Sequence, residues 1–162
     1  MSIVLVDIPQ EYDMQVSLKC QYALRAIFEL ARRNDSRPAK IAEIAEAQAI
    51  PPRFLEVILS QLKQGGFVES RRGSEGGYLL ARSPTGLTVG EVIRFIQGPL
   101  GPVECVVGKS KERCPLYADC AFLPMWEKVR DAISEIYDST TFQNLVDEAQ
   151  LRARDYVPAY AI

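Results

Sequence analysis

Residues 41–81 decide the fold, and they read IAEIAEAQAIPPRFLEVILSQLKQGGFVESRRGSEGGYLLA. Apolar side chains recur at three- and four-residue steps in the first part of this stretch. That spacing predicts a short helix over 40–48 and, after a tight turn, a second helix opened by Pro51–Pro52. Gly65–Gly66 is typical of the end of a helix. Two short β-type runs then flank the glycine-rich segment 71–77, so a β-hairpin follows the second helix. The apolar stripe of the second helix is predicted to consist of Phe54, Leu55, Ile58, Leu59 and Leu62.

Further helices are predicted on both sides of this stretch. One covers 16–33, with Ser17 as its N-cap. Another begins at Thr88, where Glu91 three residues later completes a capping box, and ends at Gly98–Pro99. The order helix, short helix, turn, helix, hairpin is that of a winged helix-turn-helix. The predicted fold class is therefore mainly α with a small β-hairpin, a winged helix-turn-helix followed by a long C-terminal dimerisation helix.

The net charge of −2 is unevenly distributed along the chain. Residues 1–13, an N-terminal extension that is apolar and then acidic, carry a net charge of −3, and residues 84–162 also carry −3. Residues 14–83, the predicted winged helix-turn-helix DNA-binding domain, carry +4. A basic module beside an acidic one suits the binding of a polyanion. A scatter of solvated charges explains the same distribution about as well.

Residues 84–162 are predicted to hold a sensor loop over 99–123 and two dimerisation helices, over 124–137 and 141–154. A preceding domain of about 80 residues leaves these two helices no obvious core to cover. Both are therefore predicted to pack their apolar faces against a second copy of the chain, in a homodimer.

The composition excludes several classes of protein. With 48% hydrophobic and 25% charged residues, neither wholesale disorder nor a fibrous repeat fits the chain. No apolar run approaches the roughly 18–20 residues of a membrane-spanning helix, and no signal peptide is recognised, so the protein is predicted to be cytoplasmic with no membrane partner. The chain contains no histidine, which excludes serine–histidine triads and histidine-containing metal sites. No nucleophile–base pair or phosphate-binding loop is recognised, so an enzyme is the weakest interpretation.

The second helix and the hairpin carry the residues that could bind double-stranded DNA. In a helix-turn-helix the second helix enters the major groove, where an arginine can donate to guanine and a glutamate can accept from the cytosine amino group. Arginines at a glycine-rich tip suit a narrow minor groove, and a lysine with free N–H groups at a helix start could hold a phosphate. A generic three-helix domain explains each piece separately, but explains less well why the arginines fall where this fold would present them. The predicted DNA-binding residues are Lys40, Arg53, Glu56, Ser60, Arg71, Arg72 and Gly73.

The stretch resembles the Rrf-two (IscR-like) family of bacterial transcription regulators. The specific part is an Arg-Gly-x-x-Gly-Gly-Tyr wing at 72–78 after an Ile-x-x-x-Phe-Leu helix at 50–55, and the resemblance covers residues 14–138. It implies a dimeric winged-helix DNA-binding protein in which Arg53, Glu56 and Arg72 read or position DNA. Family members begin at a position corresponding to Met14. Residues 1–13 are then either an N-terminal extension or the result of a translation start assigned too far upstream.

Three of the four cysteines lie in the predicted sensor loop. Cys105, Cys114 and Cys120 form a C-x8-C-x5-C pattern, and because disulfides are disfavoured in the cytosol, a metal or redox role is the first interpretation. Three thiolates without histidine suit iron–sulfur ligation. Iron–sulfur members of the family carry three cysteines in this loop, usually with five residues in each gap, whereas this chain departs from that spacing with eight residues in the first gap and five in the second. The resemblance implies an iron–sulfur cluster, for which the two-iron two-sulfur type is expected. Cys20 is a candidate fourth ligand, although a packed core cysteine is the more common role in such a helix.

The leading hypothesis is a homodimeric, redox-sensing transcription regulator whose affinity for its operator is set by an iron–sulfur cluster. One alternative is a metal-free regulator of the same fold that responds through thiols or to a small molecule. Another is an interaction or electron-carrier module that has lost DNA binding.

Overall fold

The structure, a computed structural model, describes residues 16–33, 37–108 and 114–155. It is mainly helical with one two-stranded antiparallel hairpin, which confirms the predicted fold class. The predicted extension over 1–13 lies outside the described residues. The elements are α1 (Leu18–Arg33), α2 (Ile41–Gln48), α3 (Pro52–Gln64), β1 (Val68–Arg71), β2 (Gly77–Leu80), α4 (Val89–Gln97), α5 (Leu123–Ser139) and α6 (Phe142–Asp155), with 3-10 turns at Glu104–Val106 and Tyr117–Asp119.

Helix α1 lies at the centre of the core. Its backbone is capped as predicted, because the N–H of Cys20 donates to the hydroxyl of Ser17 at 3.2 Å. Its buried face is built largely from small side chains, which lets other elements approach closely. It contacts α2, α3, α4, α6 and β2. The buried residues of α1 are Cys20, Ala23, Ala26, Ile27, Glu29, Leu30 and Ala31.

A buried carboxylate joins α1 to α2. The side chain of Glu29 is 0% exposed, and it accepts hydrogen bonds from Arg32 at 2.8 Å, from Arg33 at 2.8 Å and from the Gln48 amide at 2.9 Å. Arg33 also contacts Glu43, on α2, at 3.2 Å. Because a buried charge is tolerated only when it is paired and hydrogen-bonded, this network fixes the α1–α2 geometry.

The turn between α2 and α3 is built around one left-handed residue. Ala49 has φ 48° and ψ 49°, and the N–H of Ile50 donates to the Ala45 carbonyl at 2.9 Å. Helix α3 then begins at Pro52, a residue favoured in a first turn, so the predicted helix-turn-helix is confirmed. Four of the five residues of its predicted apolar stripe are buried, namely Leu55, Ile58, Leu59 and Leu62.

Phe54 was predicted in that stripe, and this prediction is wrong. Its side chain is 64% exposed. Phe54 directly precedes Leu55, and neighbouring helical side chains point about 100° apart. It therefore lies at the edge of the buried face, which Leu55 already fills.

The hairpin is attached to the start of α2 as well as to α3. Strands β1 and β2 pair with Val68 opposite Leu80, and beyond this pairing the Tyr78 N–H donates to the Ala39 carbonyl at 2.8 Å while the Ala39 N–H donates to Tyr78 at 2.9 Å. A Cβ atom on Gly77 would lie 2.4 Å from that Ala39 carbonyl oxygen. The absence of a side chain at Gly77 therefore permits the close approach.

Helix α6 packs on the same core as α1. Phe142 is 0% and Val146 4% exposed, and the Phe142 N–H donates to the Leu87 carbonyl at 3.0 Å. The prediction that both C-terminal helices lack a core to cover is therefore wrong for α6. The predicted capping box of α4 is confirmed, since the N–H of Glu91 donates to the Thr88 hydroxyl.

Helix α5 differs from α6, because none of its residues is classed as buried. It follows the predicted sensor loop over 99–123 and contacts α4 and the 3-10 turn at Glu104–Val106. In the described part of the chain, no helix has both the length and the apolar character needed to cross a membrane.

The Glu29 network predicts a dependence of stability on pH. Burial raises the pKa of the Glu29 carboxyl, but hydrogen bonds from Gln48, Arg33 and Arg32 outweigh it, so the net pKa lies below its ordinary value. A lowered folded-state pKa stabilises the fold above the unfolded value of about 4.3, and this contribution is lost as the pH falls through the folded pKa. We expect the free energy of unfolding, measured in urea, to decrease below about pH 4.3, and to decrease less in Glu29→Gln.

Glu46→Gln is the matched control, because Glu46 is an exposed acid on the neighbouring helix. Its pH profile should follow that of the wild type. Equal profiles for Glu29→Gln and the wild type would show that the buried carboxylate does not stabilise the fold through its charge.

The attachment of the hairpin predicts a contrast between two glycines. Gly77→Ala must push the Ala39 backbone away, and overpacking of this kind costs about 1–3 kcal/mol. At Gly86, where a Cβ would approach nothing closer than 4.0 Å, the same change should be nearly neutral. Urea unfolding of both variants measures the difference, and equal stabilities would contradict the close approach.

Candidate nucleic-acid interface

The outer face of α3 carries the three residues predicted to read bases. Arg53, Glu56 and Ser60 are all exposed, about one turn apart, on the side opposite the buried stripe. Phe54 and Val57 lie beside them and are 64% and 59% exposed. The face therefore offers a cation, an anion, a hydroxyl and two apolar groups, which are the side-chain types that read base edges in the major groove. Sequence reasoning missed Val57 because it fits neither the polar face nor the apolar stripe.

The hairpin tip presents the predicted wing residues to solvent. Arg71, Arg72 and Gly73 are exposed, and Gly73 has φ 108°, a conformation that favours glycine. Arg71 lies 3.7 Å from Glu69, whereas Arg72 makes no ion pair with any residue that the structure describes. The Arg72 guanidinium therefore has its donors available for another anion.

Lys40 is exposed at the start of α2, but its own N–H is not free. That N–H donates to the Glu43 carboxylate at 3.0 Å. This hydrogen bond, with Arg37, Arg33 and Lys40 nearby, holds the pKa of Glu43 below its ordinary value despite some desolvation. The Lys40 N–H is therefore already used within the protein, whereas the predicted phosphate contact of the Lys40 side chain and of the other N–H groups at this helix start stays a prediction.

The three loop cysteines lie on and beside the 3-10 turns between α4 and α5. Cys105, Cys114 and Cys120 are half-buried and form no disulfide. Among the residues that the structure describes, no three cysteine or carboxylate side chains are grouped closely enough to hold a metal ion. Over the described ranges the thiols therefore do not form a ligand set, and the iron–sulfur cluster stays a prediction. Residues 109–113, between the first two cysteines, lie outside the described part.

Cys20 belongs to the core. It is 0% exposed among the apolar residues of α1, and burial raises the pKa of its thiol to about 11. A thiol with so high a pKa is protonated at neutral pH, whereas the thiolate is the form that binds metal. This favours the packed-core interpretation of Cys20 over its role as a fourth ligand.

A family model and individual relatives both match most of this chain. Residues 16–148 match the Rrf2 family model, described as an iron-dependent transcriptional regulator. The chain is 34% identical to the HTH-type transcriptional regulator CymR of Bacillus subtilis (strain 168), over 82% of this chain and 89% of that protein. It is 30% identical to the HTH-type transcriptional regulator IscR of Erwinia tasmaniensis, over 85% of this chain and 82% of that protein.

Two solved structures resemble the fold of this chain with the same TM-score. CymR of B. subtilis, described as its global cysteine regulator, matches with a TM-score of 0.69 at 33% identity, over 83% of this chain and 97% of that one. T. potens IscR matches with a TM-score of 0.69 at 31% identity, over 90% and 94%. The family match, these relatives and the shared fold lead to one conclusion: the chain belongs to the Rrf2 family of winged-helix transcriptional regulators.

Proposed function

We propose that this protein regulates transcription by binding double-stranded DNA as a homodimer, with α3 in the major groove and the wing against the adjacent backbone or minor groove. The observation that carries the proposal is the exposed face of α3, where Arg53, Glu56 and Ser60 lie about one turn apart. Their side chains have no structural task there, because the opposite side of α3 supplies its packing.

Arg53 and Arg72 would contact different parts of the DNA. Arg53 is near the N-terminus of α3, the end that approaches base edges in helix-turn-helix proteins, so it could donate to guanine and contribute sequence specificity. Arg72 on the wing would contact phosphates or a narrow minor groove, which adds affinity with less sequence information. The exposed Lys40 and Arg71 side chains would add phosphate contacts.

Helix α5 is the proposed dimerisation surface. None of its residues is classed as buried, and its apolar side chains Met125 and Ile136 are 45% and 63% exposed. An amphipathic helix left uncovered on this scale finds its natural partner in a second copy. A dimer would also present two recognition helices to two half-sites of an operator.

The loop over 99–123 is the proposed sensor. It joins α4 to α5, and Arg130 of α5 donates to the Val106 carbonyl at 3.0 Å, so a change in the loop would act on α5 directly. The half-buried, unbridged thiols of Cys105, Cys114 and Cys120 favour thiol chemistry as the means of sensing. Control by an iron–sulfur cluster remains a prediction, supported by the cysteine pattern and by the iron-dependent description of the family.

Arg53→Ala and Arg72→Ala test the DNA-binding surface. Each should weaken binding to the protein's own upstream DNA by about 1–3 kcal/mol, roughly 5- to 150-fold, in a gel shift at fixed salt. Arg53→Ala should also relax sequence preference. Arg72→Ala should instead weaken all sequences alike and reduce the slope of log affinity against log salt by about 1.

Arg152→Ala is the control for charge alone, because Arg152 is an exposed arginine on α6 that pairs with Glu148. Native mass spectrometry of the wild-type complex should show two chains per duplex. If the Arg53 and Arg72 variants bind as well as Arg152→Ala, the proposed surface is not the one that binds DNA.

The iron–sulfur prediction has a direct measurement. If the loop thiols bind a cluster, protein purified without oxygen is brown, contains iron and sulfide, and loses its visible absorption in Cys114→Ser. Cys20→Ala should keep the absorption, because Cys20 lies in the core, although it should unfold more easily. Colourless, iron-free wild-type protein would overturn cluster control and leave the thiol mechanism.

A further inference from the structure

A cavity of about 350 Å³ lies between α4, the sensor loop and α5. This volume is at the lower end of the range of roughly 300–1,000 Å³ found for small-molecule sites. It suits a small metabolite better than a nucleotide. Its polar lining comes from two arginines, a glutamate, a serine, two tyrosines and a cysteine, and its apolar lining from the loop. The lining residues used in the argument are Arg94, Leu100, Cys105, Val107, Glu127 and Arg130.

Both guanidinium groups are held in place. Arg94 of α4 binds Asp138 of α5 through both terminal nitrogens, with Nη1 at 2.7 Å from Oδ1. Arg130 donates from Nε to Asp131 at 2.8 Å and from Nη1 to the Val106 carbonyl at 3.0 Å, and its Nη2 lies 2.7 Å from Asp131 Oδ1, so one N–H on each terminal nitrogen is left. A guanidinium has about five N–H donors in a rigid fork, so each group keeps donors for a ligand carboxylate. Fixed cations of this kind bind an anion with little loss of side-chain entropy.

Glu127 has a different environment. It is half-buried at the cavity wall, yet no hydrogen bond or ion pair joins its carboxylate to another residue within the described ranges. Arg130, one turn further along α5, pairs with Asp131 instead. Since a partly buried carboxylate gains from a cationic partner, Glu127 is suited to receive one from a ligand.

We propose that this cavity binds a small zwitterionic amino acid. Its carboxylate would bind Arg130 and Arg94, and its ammonium group would bind Glu127. Its side chain would lie against Leu100 and Val107 of the loop. Neither a simple carboxylate nor a simple amine would satisfy both ends of the site.

The position of the cavity connects such a ligand to regulation, a step that rests on the proposed function. The cavity wall contains Cys105 of the loop, and Arg130 already links the neighbouring Val106 to α5. A ligand bridging the loop and α5 would stabilise one arrangement of the two. A ligand that prefers one arrangement shifts the population toward it, and hence changes the placement of the recognition helices in the dimer.

Isothermal titration calorimetry on the full chain, with each of the twenty common L-amino acids in turn, tests the site. We expect at least one to bind with a Kd below about 1 mM. Its deaminated carboxylate and its decarboxylated amine should each bind at least about tenfold more weakly, because each leaves one charged partner unsatisfied. No heat of binding for any of the twenty up to about 10 mM would overturn the proposal.

Glu127→Gln should weaken the best ligand about tenfold or more and remove the discrimination against the deaminated analogue. Glu135→Gln is the matched control, an exposed acid on the same helix outside the cavity lining, and it should bind like the wild type. Circular dichroism confirms that both variants are folded. Unchanged binding by Glu127→Gln would also overturn the proposal.

Gel shifts with and without the ligand separate this site from the proposed function. A change in DNA affinity that Glu127→Gln abolishes supports both. Calorimetric binding with unchanged DNA affinity supports the site and overturns its regulatory role. Calorimetric binding by a protein that retards no DNA at all supports the site and overturns the proposed function.

Discussion

The rest of the structure depends on the packing of five other elements around helix α1. One helix of small and apolar side chains contacts α2, α3, α4, α6 and β2, so the position of each of these elements is set relative to the same short axis. Alanines on its buried face permit close packing, and the buried Glu29 carboxylate, which accepts a hydrogen bond from Gln48, fixes the position of α2 against α1. The orientation of α3, with its polar side outward, follows from this arrangement.

Much of the fold could be predicted from the sequence, because the residues that start and end its helices lie within a few positions of each other. The tight turn after α2, the prolines opening α3 and the Thr88–Glu91 capping box each act within a few residues, and the structure confirms them. Apart from Phe54, the errors and omissions concern contacts between distant segments. Nothing near Phe142 in the sequence indicates that it returns to the core beside Leu87, and Ala39 carries no sign that it pairs with Tyr78.

The same distinction applies to the candidate site. The exposed residues of α3 and the wing could be predicted because a helix-turn-helix determines which positions face outward. The cysteine pattern drew attention to the sensor loop, but spacing alone does not determine whether three thiols meet in space. The cavity could not be predicted at all, since Arg94 and Arg130 lie on different helices and only the fold places them with Glu127 around one cavity.

The pairing of Thr88 with Thr141 closes the chain on itself. Among the described residues between them, α4 packs on α1 with Val92 and Ile93 buried, α5 has no buried residue, and the chain returns to the core at Phe142. Cleavage of the backbone between α4 and α5 would leave the C-terminal piece attached, because Phe142 and Val146 are embedded in the core. The connection from α4 to α5 can therefore change in length or sequence while α4 and α6 stay anchored on α1, without a change to the outer face of α3.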